Sequence, residues 1–174
     1  DMAQTETIQK LKTYTYQDYA QLPEGAPYEL INGQLVEEPS PTPYHQDISG
    51  ILLLSMKNHL HNHNLNGKVY AAPLDVYFEE TETIQPDLIY ISKERLSIIR
   101  EKNIQGAPDI VFEILSPSTA YYDLRHKKDI YAKHGVKEYW IIDPMETSIE
   151  LYEQNNREFK LSTKKVNSGK VRSS

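Results

Sequence analysis

The run Asp109-Ile-Val-Phe-Glu-Ile-Leu115 sets one carboxylate, Glu113, inside an otherwise apolar stretch rich in β-branched and aromatic residues. Such a run reads as a buried strand. Alternation puts Val111, Glu113 and Leu115 on one face and Ile110, Phe112 and Ile114 on the other. A carboxylate there costs several kcal/mol of desolvation unless it is paired or metal-bound. Two readings stand for Glu113: a structural acid, ion-paired or reaching water at a strand end, or a functional one.

Downstream of this strand, Ser118 or Thr119 can cap a helix running to about His134, with Gly135 at the position that favours a left-handed residue. Glu138–Asp143 then reads as a strand, and Ser148–Glu153 and Glu158–Ser162 as a hairpin around Asn155-Asn156. Upstream, Lys68–Ala72, Asp75–Glu79 and Ile84–Ile91 are β-rich runs, and Lys93–Lys102 is a short helix or loop. Further back, Ile48, Leu52, Met56 and Leu60 recur every four residues, predicting an amphipathic helix to about Asn62, with Thr42 as its cap and Pro43 at its first position. Asn32-Gly33 between Tyr28–Ile31 and Gln34–Glu37 predicts a type I′ hairpin. Thr15 with Asp18 predicts a capping box opening a helix to about Leu22. The alternation of strands and helices predicts an α/β fold, a central mixed β-sheet flanked by helices. The expected division is a flexible N-terminus over 1–13, one domain over 14–163 and a basic tail over 164–174.

The chain has 174 residues, 39% hydrophobic and 25% charged, which suits one soluble domain. Without cysteine there is no disulfide, zinc–thiolate site, iron–sulfur cluster or cysteine nucleophile. No apolar run approaches the ~20 residues that span a bilayer, and no signal-peptide pattern opens the chain, so a cytoplasmic protein without a membrane partner is expected. The net charge is −6; residues 157–174 carry six Lys/Arg against one acid, which leaves the preceding 156 at −11. An acidic body argues against a general nucleic-acid coat and is compatible with a carboxylate metal site. No Walker loop, Rossmann fingerprint or Gly-x-Ser-x-Gly elbow is present.

Other candidate residues surround Glu113. Asp87 follows Pro86 where the apolar run Leu88–Ile91 begins, a place where Pro-Asp is also a common turn. Asp109 competes with it, but Asp109 and Glu113 are about 13 Å apart along one strand, too far to share one ion. If the strands of Asp87 and Glu113 pair, their carboxylates come within reach of one divalent cation. Asp123, Lys127 and Tyr131 share one face of the following helix; that face is either solvated or turned towards Glu113.

The ordered set Tyr28-Glu-Leu-Ile-Asn-Gly33, Gln85-Pro-Asp87, Gly106-Ala-Pro-Asp-Ile-Val-Phe-Glu-Ile-Leu-Ser-Pro-Ser118, Asp123-x-x-x-Lys127-x-x-x-Tyr131 and Gly135-Val-Lys-Glu-Tyr-Trp140 resembles the restriction-endonuclease-like family, formerly a domain of unknown function, of the PD-(D/E)xK nuclease superfamily. The resemblance runs from about Tyr14 to Glu158. It implies a restriction-endonuclease-like fold, with Asp87 as the first motif acid and Glu113 as the second. The superfamily lysine would fall at Leu115, so the resemblance moves that role to the helix, to Lys127 with Lys128 as fallback. Glu29 matches an acid of the first hairpin, open to completing the metal site or to being an exposed hairpin acid, and His45 matches a further family position, equally open to a capping or surface role.

The implied activity is metal-dependent hydrolysis of DNA by an endonuclease. Asp87 and Glu113 are hard oxygen ligands suited to Mg²⁺ or Mn²⁺, and Lys127 would orient water and stabilise negative charge. A homodimer is expected, since cutting both strands generally takes two sites. The rival expectation is a degenerate, non-catalytic nucleic-acid or protein interaction module on the same fold, or a metal-dependent hydrolase of nucleotides or RNA. His59, His61 and His63 splay around a helix and do not read as a joint ligand set, Trp140 reads as core, and the basic stretch from Lys160 to Arg172 reads as a solvated tail or a set of phosphate contacts.

Overall fold

A computed structural model describes residues 11–117, 122–167 and 173. The elements follow in the order α1 (Tyr16–Tyr19), β1 (Tyr28–Ile31), β2 (Gln34–Glu37), α2 (Pro43–Asn62), β3 (Lys68–Ala71), β4 (Val76–Glu79), β5 (Glu82–Ile84), β6 (Leu88–Ile91), a 3₁₀ helix (Lys93–Ile98), β7 (Ile104–Gln105), β8 (Ile110–Ile114), α3 (Tyr122–Lys133), β9 (Glu138–Asp143), β10 (Ser148–Asn155) and β11 (Glu158–Val166). No helix among them is long and apolar enough to cross a membrane.

The mixed α/β class holds, but the strands form two sheets rather than one. A six-stranded sheet has the order β11-β10-β9-β8-β6-β3, and a five-stranded one the order β2-β1-β5-β4-β7. In the larger sheet β8 and β9 run parallel, joined across α3, while β6 pairs antiparallel with β8. The run Ile84–Ile91, read as one strand, is divided between the sheets: β5 ends at Ile84 and β6 begins at Leu88. Pro86 explains the break, because it has no N–H to give to a ladder.

Side-chain alternation on β8 sorts the core as its sequence implies. Val111 joins a buried cluster with Ile89, Ile84, Val76, Ile130, Tyr131 and Tyr139, between the sheets and under α3. Ile110, Phe112 and Ile114 join Leu88, Val69 and Leu60 on the opposite face, covered by Ile48, Leu52 and Met56 of α2. Trp140 lies against this second cluster, 5.6 Å from Phe112 between ring centroids. Glu113 therefore points to the side of the sheet that faces α3 and the smaller sheet.

Local signals mostly act where they were read. Asn32 and Gly33 both have positive φ, 49° and 70°, closing the β1–β2 turn. The Thr42 hydroxyl accepts the His45 N–H at 3.1 Å, capping α2. Asp18 accepts the Thr15 N–H at 2.9 Å, although α1 is a single turn ending at Tyr19 and not at Leu22. The β10–β11 turn is Asn156-Arg157, both with positive φ, one residue later than expected. The basic stretch from 164, expected as tail, is strand to Val166: Glu150 stands opposite Lys164, 3.1 Å away. Residues 1–10 of the expected N-terminal segment and the expected caps Ser118 and Thr119 lie outside the described residues.

Candidate functional site

The register of β6 on β8 sets Leu88 opposite Phe112 and Ile89 opposite Val111. Continued by one residue, it sets Asp87 opposite Glu113. Asp87 accepts the Ile114 N–H at 2.7 Å through Oδ2, so its carboxylate is tied to the neighbouring strand at the position beside Glu113. Glu113 is buried, and Oε1 accepts the Tyr131 hydroxyl at 2.7 Å.

Helix α3 supplies the cation. Lys127 lies one turn before Tyr131 on the inward face. Its Nζ stands 2.8 Å from Glu29 Oε2 and 3.8 Å from Glu38 Oε1, and its charge acts on Glu113 as well. Lys128, the fallback, turns the other way and lies 3.9 Å over the Tyr152 ring. Leu115, one residue past β8, is half-buried and packs against the core between the sheets. The side chain of Asp123 lies outside the described residues.

Glu29 is no exposed hairpin acid: it is fully buried, with Oε1 accepting the Gln85 N–H at 2.8 Å and Oε2 on Lys127. Behind it, the Gln85 amide donates to Asp75 Oδ1 at 2.8 Å, and Asp75 also accepts the Tyr19 hydroxyl at 2.7 Å. Sequence reading missed this network and the contact of His45 Nε2 with Asp87 Oδ1 at 3.2 Å. Its members come from α1, β1, the residue before β4, α2 and the break before β6, so no periodicity links them; Pro86 and Asp87 beside Gln85 were the nearest signal.

Asp87, Glu113, Lys127, His45, Gln85 and Glu38 line one cavity of about 330 Å³. Its electrostatics are unbalanced. Burial, the largest influence, pushes the Glu113 carboxyl well above the usual range; Lys127 pulls it down, Asp87 and Glu29 push it up again, and the Tyr131 hydrogen bond lowers it. A pocket lined by several carboxylates, one of which resists ionisation because it is buried, suits an added cation. Among the described residues no three His, Cys, Asp or Glu side chains already stand close enough to hold a metal ion. Mg²⁺ keeps several waters and takes one or two carboxylates, so the pair Asp87 and Glu113 fits it.

Two candidates from the sequence lie elsewhere. Asp109 is buried but accepts the Ser92 N–H at 2.7 Å and faces Lys137 at 2.9 Å, a structural arrangement at the far end of β8. His59 and His63 stack at 4.1 Å between centroids at the exposed end of α2.

A model of the Uma2 family, described as "Putative restriction endonuclease", matches residues 16–173. Among solved structures, the chain is similar to a putative nuclease belonging to DUF820 from Anabaena variabilis, with 24% sequence identity, a TM-score of 0.71, and coverage of 84% of this chain and 83% of that one. At that identity the likeness speaks for the fold. No curated protein matches the chain.

Proposed function

This chain belongs to the Uma2 family, and from that premise we propose that it is a metal-dependent DNA endonuclease hydrolysing phosphodiester bonds. Asp87 and Glu113 hold Mg²⁺ or Mn²⁺ in this reading, and the enzyme acts as a homodimer so that both strands are cut. The observation that carries it is the cross-strand juxtaposition of Asp87 and Glu113 in a cavity that Lys127 also lines.

When bound, a divalent cation lowers the pKa of a ligated water and offsets charge on the phosphoryl group. The protein's own groups do the rest. Tyr131 fixes Glu113 through Oε1. Ile114 N–H fixes Asp87 through Oδ2, and His45 Nε2 stands 3.2 Å from its Oδ1. Lys127 orients the attacking water and stabilises the negative charge that develops on the phosphate oxygens. Glu29 reaches the cavity through Lys127: it holds the ammonium in place, and Gln85 holds Glu29.

The test is cleavage of supercoiled plasmid with Mg²⁺ or Mn²⁺ by wild type, Asp87→Asn and Glu113→Gln. Cleavage by wild type and its loss in both variants is expected; equal metal-dependent cleavage by all three defeats the proposal. The rival, a non-catalytic interaction module, draws support from Leu115, which packs half-buried against the core where the resemblance would otherwise put a lysine. Calorimetric titration with Mn²⁺ separates the two, because the module should show no binding that depends on Glu113.

A further inference from the structure

We propose that the solvent face of α2 is the surface through which two copies of this chain pair, with their α2 helices antiparallel. This rests on the homodimer of the reading above and names its interface.

Helix α2 is apolar on two sides. Ile48, Leu52, Met56 and Leu60 pack onto the larger sheet. Yet Tyr44, Ile51 and Leu54 stand in solvent, 62%, 66% and 62% exposed. A helix lying on one sheet needs one apolar stripe, so the chain's own core does not account for the second. These three belong to one row. Tyr44, Asp47, Ile51, Leu54, Asn58 and His61 are spaced alternately three and four apart, the spacing of a two-helix seam, and all of them are exposed. Gly50 lies beside Ile51 in mid-helix, where glycine weakens the helix. A Cβ there would meet nothing within 4 Å, so packing inside this chain does not call for a glycine. What it offers is room for a second helix to come close.

The row has nearly the same character from either end, which points to a second copy as the occupant. Turned about a two-fold axis between Leu52 and Leu53, Ile51 of one copy meets Leu54 of the other, Asp47 meets Asn58, and Tyr44 meets His61. Ile51 and Leu54 of both copies then fill the centre, and hydrogen-bonding pairs close both ends. Polar layers in such a seam fix register and the number of helices. Charge chooses the direction. Asp47 is the one acid of α2 and Lys57 its one lysine. Antiparallel pairing brings Asp47 of each copy beside Lys57 of the other, whereas parallel pairing sets Asp47 against Asp47.

The arrangement also spaces the two candidate sites. His45, in the first turn of α2, contacts Asp87. In the antiparallel pair it lies level with Leu60 of the other copy, so the two sites fall at opposite ends of the helices, about 22 Å apart along their axis.

Sedimentation velocity on wild type and Ile51→Glu tests the surface, and thiol cross-linking tests the direction. Wild type should be a dimer. Ile51→Glu sets a carboxylate from each copy in the centre and should weaken self-association about a hundredfold or more, with the far-ultraviolet circular dichroism of wild type. The chain has no cysteine, so added thiols react alone. Tyr44→Cys and His61→Cys together should give a covalent dimer with a short bismaleimide. Either change alone should not, because each residue lies about 25 Å along the axis from its own counterpart. A wild-type dimer that Ile51→Glu leaves intact overturns this surface and leaves the homodimer standing. Equal cross-linking by Tyr44→Cys alone overturns the antiparallel arrangement. A monomeric wild type overturns surface and homodimer alike, whether the face then takes another protein or a lipid surface; the plasmid test of Asp87 and Glu113 is independent of all three outcomes. If Ile51→Glu folds poorly, cross-linking of the double variant decides.

Discussion

Lys127 and Glu29 form an ion pair of 2.8 Å whose side chains are 5% and 1% exposed. Taking one partner from a buried pair leaves an uncompensated charge, at a cost of about 3–5 kcal/mol. Lys127→Met should therefore destabilise the fold by about that amount, and Glu29→Gln by less, because Glu38 at 3.8 Å still faces the ammonium. The double variant should be less destabilised than the sum, because it leaves neither charge alone. Urea denaturation of the four proteins measures the coupling. Strict additivity would show that the pair does not act as a unit.

Glu113 carries the opposite burden, since desolvation raises its carboxyl well above the usual range. A group raised in the native state stabilises the fold below its unfolded-state value, near 4.5, and this contribution is lost as pH rises through the native value. Without metal, Glu113→Gln should gain stability over wild type as pH rises, because glutamine stays neutral where the buried carboxyl must ionise. Adding Mn²⁺ should raise the melting temperature of wild type and not of the variant. A variant less stable than wild type in metal-free buffer would count against a carboxylate kept for function at the expense of stability.

Much of this was legible in the chain. The strand around Glu113, the helix bearing Lys127 and Tyr131, and the strand of Trp140 announce themselves through alternation, helical spacing and Gly135, because each depends on neighbours in sequence. The division at Gln85-Pro86-Asp87 was not legible. Apolar residues flank it on both sides, Ile84 before and Leu88–Ile91 after, and a proline does not say which sheet each half joins. The pairing of Glu29 with Lys127 was equally hidden. Glu29 follows a hairpin pattern that serves an exposed edge or a buried one, and only the packing of β1 against β5 decides which. The choice of Lys127 over Lys128 came from family resemblance, and its physical basis is helix phase: one residue further on, the ammonium meets Tyr152 instead.

Tyr131 donates to Glu113 from full burial. Tyr131→Phe keeps the ring and removes the hydroxyl, leaving the carboxylate short of a donor. The expected cost is about 1–3 kcal/mol of stability. Because the lost hydrogen bond favours the ionised acid, the acidic limb of the cleavage pH profile should move to higher pH. Such a displacement, with the substrate KM unchanged, would mark Tyr131 as a positioning residue. A fall in stability alone, with the pH profile unmoved, would make it a packing residue.

Asp109 provides the contrast of a buried acid with a structural task. Burial, the largest influence on it, pushes its carboxyl up, but the Ser92 N–H and Lys137 outweigh burial and hold it below the usual range. A depressed carboxyl contributes stability that is present above its unfolded value, near 3.8, and lost as pH falls through the native value. Asp109→Asn should therefore be less stable at neutral pH by about 1–3 kcal/mol, and its stability should vary less below about pH 4 than that of wild type. Metal-dependent cleavage by the folded variant should persist, since residue 109 lies about 13 Å along the strand from Glu113. Chemical denaturation across the acid range, paired with the plasmid assay, checks both halves. Loss of cleavage at full folding would move Asp109 into the site and displace Asp87 as the partner of Glu113.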